Sequence, residues 1–308
     1  MNEFMLHKHR NIGEKMNLTF SYIREHQKLL FKSTWLLSLP LVLILTFYST
    51  LNTITTQLEE TPGWLNSIVN YESVPVWNGT ILIVAIFTAL LIIPMVLTIM
   101  KQTTGMDKPS GKINIGDIAA EYKSSLLHTI VMPFAPVTLV FLWRPLVGWT
   151  DNSYDYFFDH IGTTLILFLV FSLISMSLPA YIIDRNKYLT SFFNSIGYSI
   201  RYFFAHLWFI FILVLVCLLI GLWLLALLGF LAEYRIDLLG YNPMDHPIAY
   251  SVYWTIQGII TAVASYVSII ALIVSTVGIS FQYGSITDAE ENYSIKRRIE
   301  NFENLTDE

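Results

Sequence analysis

Of the chain's 308 residues, 54% are hydrophobic and 13% are charged, where a soluble domain carries roughly 25% charged residues. One aqueous core cannot hide so much apolar side chain, and the composition excludes a soluble globular class. The net charge of −5 comes with no extended basic patch that would suit nucleic acid, and the lone Cys217 excludes an intramolecular disulfide.

In chain order, residues 1–33 form a polar stretch holding Lys8, Arg10, Lys15, Arg24, Lys28 and Lys32. His7 and His9 fall in it and read as flexible tail residues. Met16, Phe20, Ile23 and Leu30 recur at helical spacing within it. The apolar run that follows is too long for the core of a secretory signal, and no small-residue cleavage site follows it. It is expected to stay as a first span.

A helix rises about 1.5 Å per residue, so a hydrocarbon layer near 30 Å needs ~20 apolar residues. Six stretches meet that length: 35–54, 80–100, 128–149, 162–183, 207–232 and 255–280. The fifth is the clearest, without a single charge; the third holds Pro133, Pro136, Arg144 and Pro145. Before the third span Ile115, Ile118, Ala119, Tyr122 and Leu126 recur at three and four residues, and before the fifth Phe192, Ile196, Ile200 and Phe203 do the same. Such stripes flanked by Lys and Arg fit helices lying in the headgroup plane; cytoplasmic extensions of the spans fit them equally well.

Orientation follows from the cations. Sixteen of the eighteen Lys and Arg fall in the N-terminal stretch, the second loop, the fourth loop and the C-terminal tail. Arg235 in an outer loop and Arg144 inside the third span are the other two. Both termini are therefore expected on the cytoplasmic side.

The fold class read from this pattern is all-α, a polytopic transmembrane helical bundle of about six spans. Its organisation suggests three repeats of a surface helix plus a transmembrane hairpin. The expected divisions are a cytoplasmic tail with an amphipathic helix (1–33), a six-span membrane domain (34–282) and a second cytoplasmic tail (283–308).

Chemistry-bearing residues are sparse. The seven histidines are spread over both sides of the expected bundle, and no Cys/His spacing fits a metal site. Hydrolytic and phosphate-loop motifs are absent from the sequence. No catalytic, cofactor or metal residue is therefore expected, and the chain reads as non-enzymatic. Arg144 is the one charge inside a span; it sits near the outer end, within reach of the interface. On the sixth span Thr261, Ser265, Ser268, Ala271, Ser275 and Gly278 form a small, partly polar face. It suits close helix packing, with a polar path as the alternative. Asp184, Arg185 and Lys187, together with Arg201, mark a cytoplasmic interface where cations can touch lipid phosphate.

Three segments carry a resemblance. They are Asn17-Leu18-Thr19-Phe20-Ser21-Tyr22-Ile23-Arg24, the stretch from Asp184 to Phe204 centred on Asn194-Ser195-Ile196-Gly197, and Phe281-Gln282-Tyr283-Gly284-Ser285. In these the chain resembles a group of bacterial six-span proteins similar to the membrane domain attached to some glycerophosphodiester phosphodiesterases. The resemblance implies a six-span membrane fold. It carries over no catalytic residue, because the phosphodiesterase activity of that group belongs to a separate soluble domain.

The expected role is that of an inner-membrane protein whose partners are the lipid bilayer and another membrane protein or a second copy of itself. A transporter or lipid-handling protein is the alternative. Reporter tags fused at residue 1 and at residue 308 should both read cytoplasmic, and one placed between residues 55 and 79 external. A periplasmic signal from either terminus would refute this topology.

Overall fold

The computed structural model describes residues 4–55, 74–104, 115–131, 168–184, 188–238 and 247–291. Among these the chain is all-helical, without a strand. In order the helices are α1 (Ile12–Thr55), α2 (Val74–Thr104), α3 (Ile115–Val131), α4 (Ser177–Ile182), α5 (Tyr188–Arg201), α6 (Phe203–Leu238) and α7 (Pro247–Glu291). Residues 168–174 form a further helical stretch just ahead of α4.

Local chemistry explains where these helices begin. Asn11 and Glu14 make a reciprocal capping box at the start of α1: Glu14 N–H donates to Asn11 Oδ1 at 2.8 Å, and Asn11 N–H to Glu14 Oε2 at 3.1 Å. Pro179 lies in the first turn of α4, after the N-cap Met176, where a missing N–H costs no intrahelical bond. Pro40 and Pro94 sit inside α1 and α2. Pro40 removes the bond to the carbonyl of Leu36.

Among the described residues three helices are long and apolar enough to cross a membrane, over Phe87–Thr104, Phe203–Leu222 and Gly258–Glu290. They coincide with the second, fifth and sixth expected spans. α1 passes the same test when its bent halves, Ile12–Trp35 and Leu37–Ile44, count as one. The fourth expected span is represented by the shorter apolar stretch Phe168–Ile182. The third, beyond residue 131, lies outside the described residues, as do Arg144, Arg185 and Lys187. α7 does not stop at residue 280: it runs on to Glu291, and Phe281 through Asp288 are buried.

The helices divide between two compact units. The first comprises Met1–Leu30, Ile93–Val214 and Val274–Glu308; the second comprises Phe31–Ile92 and Leu215–Ile273. Within the first, Met176, Ala180, Tyr283 and Ile286 form a buried cluster with Tyr198 and Tyr202 packed against it. Gly278 is buried there too. A Cβ at this position would sit 3.0 Å from Leu213 Cδ1 and 3.6 Å from the Phe209 ring, so its smallness lets α7 and α6 approach. Within the second unit, Trp35 stacks on Tyr266 at 4.4 Å between ring centroids, and Cys217 Sγ reaches the Ala271 carbonyl at 3.6 Å.

Of the helices preceding the expected spans, α5 is amphipathic with reversed polarity. On α5, Ser191, Ser195 and Ser199 are 0%, 0% and 1% exposed, while Leu189, Phe193 and Phe204 just beyond its end are 65%, 66% and 82% exposed. On α1, Lys15, Thr19, Tyr22 and Leu30 face inward and Phe20 faces out. On α3, Ile118, Ser125 and Thr129 are buried. The periodicity expected for these segments is present: of the stripe residues Phe20 and Ile200 are exposed, Met16, Ile23, Phe192, Ile196 and Phe203 are half-buried, and Leu30 and Ile118 are buried. Small hydroxyl residues make the inward face because they allow close approach. On α1 and α3 they also satisfy themselves: Thr19, Ser125 and Thr129 each donate to a carbonyl four residues back, at 2.8 to 2.9 Å; on α5, Ser199 donates across to the Leu173 carbonyl at 3.0 Å.

Candidate functional site

The densest polar chemistry among the described residues lies in the first unit. There residues 4–10 form a strap laid against the C-terminal part of α7. Phe4 meets Tyr22 and His26 edge-on at 5.6 and 5.8 Å, and Tyr22 stacks on His26 at 4.4 Å. His7 is held at both ring nitrogens, with Nδ1 2.9 Å from Thr287 Oγ1 and Nε2 3.1 Å from Asp184 Oδ1. The Tyr283 hydroxyl donates to the other oxygen of Asp184. The backbone N–H of His9 donates to Asp288 Oδ2 at 2.8 Å, and that of Arg10 to Ser285 Oγ at 3.0 Å.

The Arg10 guanidinium turns back on the strap. It donates to the carbonyls of Met5 at 2.6 Å, Lys8 at 3.3 Å and Leu6 at 3.4 Å, and lies 5.9 Å from the Phe281 ring centroid. The strap can settle this closely because residue 284 is glycine. A Cβ there would stand 2.3 Å from the Leu6 carbonyl oxygen.

One turn into α1, Lys15 enters the interior and is 6% exposed. Its ammonium donates to Gln282 Oε1 at 2.6 Å and lies 5.4 Å from the centre of the Phe209 ring. Among the described residues no carboxylate stands within 4.0 Å of it. Burial pushes its pKa down from 10.5 to about 8, and the positive Arg10 adds to that shift. Burial also acts against the charge on Arg10, with Glu14 and Asp288 opposing it. Desolvation raises the Tyr22 phenol, whose hydroxyl shares a 2.6 Å hydrogen bond with Thr103.

His206, on the first turn of α6, completes the group. Its Nε2 lies 2.8 Å from the Ser172 carbonyl and 3.1 Å from Ser175 Oγ. A carbonyl can only accept, so Nε2 carries the proton and Nδ1 a lone pair. Nδ1 is buried and has no hydrogen-bond partner among the described residues.

The residues singled out in the sequence fall in several places. Asp184 is occupied by His7 and Tyr283, and the exposed Arg201 pairs with Glu290. Ser265 and Ser268 donate to the Thr261 and Ala264 carbonyls of their own helix, at 2.9 and 3.0 Å. Ser268 is exposed, Thr261, Ser265 and Ser275 are half-buried, and Gly278 is buried. Thr261, Ser265 and Ser268 belong to the second unit, Ser275 and Gly278 to the first. His7 and His9 are not loose tail residues, since the strap seats both. Their partners lie about 280 positions away in sequence, so no local pattern could announce them. Lys15 and His206 carried no sequence signal beyond being ionisable groups near apolar runs.

These features define an all-helical protein with apolar helices suited to a membrane and a polar, strapped site at one end of α7. No protein family, curated protein or solved structure matches the chain.

Two outcomes follow. Gly284→Ala forces Cβ into the Leu6 carbonyl and should lift the strap, seen as faster tryptic cleavage after Lys8 and Arg10 and a lower melting temperature. Gly197→Ala, where a Cβ meets nothing within 4 Å, should leave both unchanged or stabilise by up to about 1 kcal/mol. Unaltered cleavage in Gly284→Ala would refute the seating of the strap. Lys15 binds fewer protons folded than unfolded between its folded value of about 8 and its ordinary 10.5, so stability should rise with pH from about 8 toward 10. Above 10 the raised Tyr22 opposes this, because only the unfolded phenol ionises there. Thermal scans of Lys15→Met should lose the rise and show higher stability at pH 7.

Proposed function

We propose that this chain is a six-span integral inner-membrane protein with both termini in the cytoplasm, acting without catalysis through contact with lipid and with a membrane partner. The observation that carries the reading is the reversed polarity of α5, with three serines buried against the protein and Leu189, Phe193 and Ile200 turned outward. The outward stripe continues onto α6 through Phe204, Trp208, Phe211 and Leu215. In water each such side chain left exposed forfeits about 2 kcal/mol of burial, and together they would rival the whole stability of a domain, roughly 5–15 kcal/mol. Against acyl chains the penalty disappears.

The distribution of Lys and Arg along the sequence supports the orientation. The resemblance to the membrane domain attached to glycerophosphodiester phosphodiesterases supports six spans. In that frame α5 lies along the cytoplasmic interface as a lipid-contacting helix and α6 descends from it into the bilayer.

Nitroxide labels scanned along α5 in a Cys217→Ser background, in vesicles, test this directly. Labels at Leu189, Phe193, Ile200 and Phe204 should be accessible to oxygen dissolved in the acyl region and shielded from a water-soluble nickel chelate. Labels at Ser191 and Ser195 should be shielded from both. Nickel access at the outward positions would overturn the lipid-contact role.

A further inference from the structure

The first unit holds a cation and a nitrogen lone pair that the fold itself does not pair. Lys15 comes from α1, Gln282 from α7, and His206 and Phe209 from α6, one turn apart on the same face. The Lys15 ammonium lies 5.4 Å from the centre of the Phe209 ring. Lys15 is 6% exposed and donates to Gln282 Oε1 at 2.6 Å. His206 is 1% exposed. Its Nε2–H is committed to the Ser172 carbonyl, and its Nδ1 lone pair points away from that bond without a donor to meet it among the described residues.

The two unmet groups ask for different things: the ammonium wants an anionic oxygen, the imidazole nitrogen wants an O–H. A carboxylate or a halide would satisfy the first and leave the second facing a further acceptor. A fully ionised sulfate does no better. An oxyanion that keeps one proton satisfies both at once. We propose that Lys15, Gln282 and His206 form a buried site for a phosphate group in its singly protonated monoanionic state, with a P–O⁻ on the Lys15 ammonium and the P–O–H donated to His206 Nδ1. The charge of the ligand offsets the buried cation, and no residue has to change protonation state for it to bind. The site lies inside the first unit and does not depend on which outer faces meet lipid.

A free phosphate and the phosphomonoester headgroup of phosphatidic acid present the same chemistry, and the experiment separates them. The full chain in detergent is titrated with inorganic phosphate, with sulfate and with chloride, and the melting temperature is read. Nanodiscs of phosphatidylcholine, with or without added phosphatidic acid, supply the lipid arm. Phosphate should stabilise saturably and bind at least tenfold more tightly than sulfate. Binding of a phosphomonoester should weaken as pH rises past its second ionisation, about 6, while Lys15 is still charged.

Lys15→Met should abolish the effect of either ligand. His206→Gln keeps a donor where Nε2 stood and removes the acceptor at Nδ1, so it should bind phosphate no better than sulfate while melting cooperatively. Displacement of phosphate by phosphatidic acid would assign the site to a lipid headgroup. Phosphate binding untouched by phosphatidic acid would assign it to a water-borne phosphate. The proposal is overturned if neither ligand stabilises the protein, if phosphate and sulfate bind equally to the parent chain, or if Lys15→Met binds as the parent does.

Discussion

A polar atom taken out of water has to find a partner, and in this chain several buried hydroxyl groups find it in the helix that carries them. Thr19, Thr104, Ser125, Thr129, Ser280 and Thr287 each donate to the carbonyl four residues earlier. Each therefore arrives at a helix interface already satisfied, presenting little more than its small size. That permits a serine or threonine face to be the packing face, and frees leucine and phenylalanine for the outer surface. Thr19 on α1 and Ser125 and Thr129 on α3 are buried on these terms; on α5, Ser199 donates instead to the Leu173 carbonyl, and Ser191 and Ser195 are buried without a hydrogen-bond partner among the described residues.

Where helices meet in lipid, apolar burial drives little association, because acyl chains are as apolar as leucine. Specificity has to come from packing and from hydrogen bonds. In the first unit much of it comes from the strap. His7 bridges Thr287 and Asp184, and Tyr283 takes the second oxygen of that carboxylate. The backbone at residues 9 and 10 bonds Asp288 and Ser285. Arg10 spends its guanidinium on strap carbonyls rather than on a carboxylate, which stiffens the segment in a single shape. The N-terminal residues thus register the end of α7 against the Asp184 end of the segment that includes α4. On α2 and α3, Lys101 pairs with Glu121 at 2.5 Å and Gln102 adds a second bond to the same carboxylate.

The sequence disclosed the helices better than their faces. Apolar runs near twenty residues long announce α2, α6 and α7 because length and hydropathy are local properties. Periodicity at three and four residues located the amphipathic segments before the first, third and fifth expected spans. Periodicity states that two faces differ, however, and which one turns inward depends on the solvent outside; for α5 the serines, not the phenylalanines, proved to be the contact. Gly278 was legible from its spacing with Ser275 and Ala271. Gly284 carries no such local signal, since its role is set by the carbonyl of Leu6, far away in sequence. The strap was invisible for the same reason. A polar segment rich in Lys and His has the composition of a solvated tail, and only its distant partners on α7 make it structure.

Lys15 is where these threads meet. An ionised group several kcal/mol worse off inside a protein than in water is ordinarily repaid by a counter-charge. Here a neutral amide and an aromatic face provide the repayment, and Arg10 nearby works against it. A methionine at this position would fill the same space without the penalty. A buried charge held on such terms either fixes a register or awaits a partner. Register at this end of α1 is already fixed by the capping box at Asn11 and Glu14 and by the strap bonds to α7. What those contacts leave undone is the neutralisation of one ammonium and the pairing of one imidazole nitrogen, and both deficits lie in the same unit of the fold.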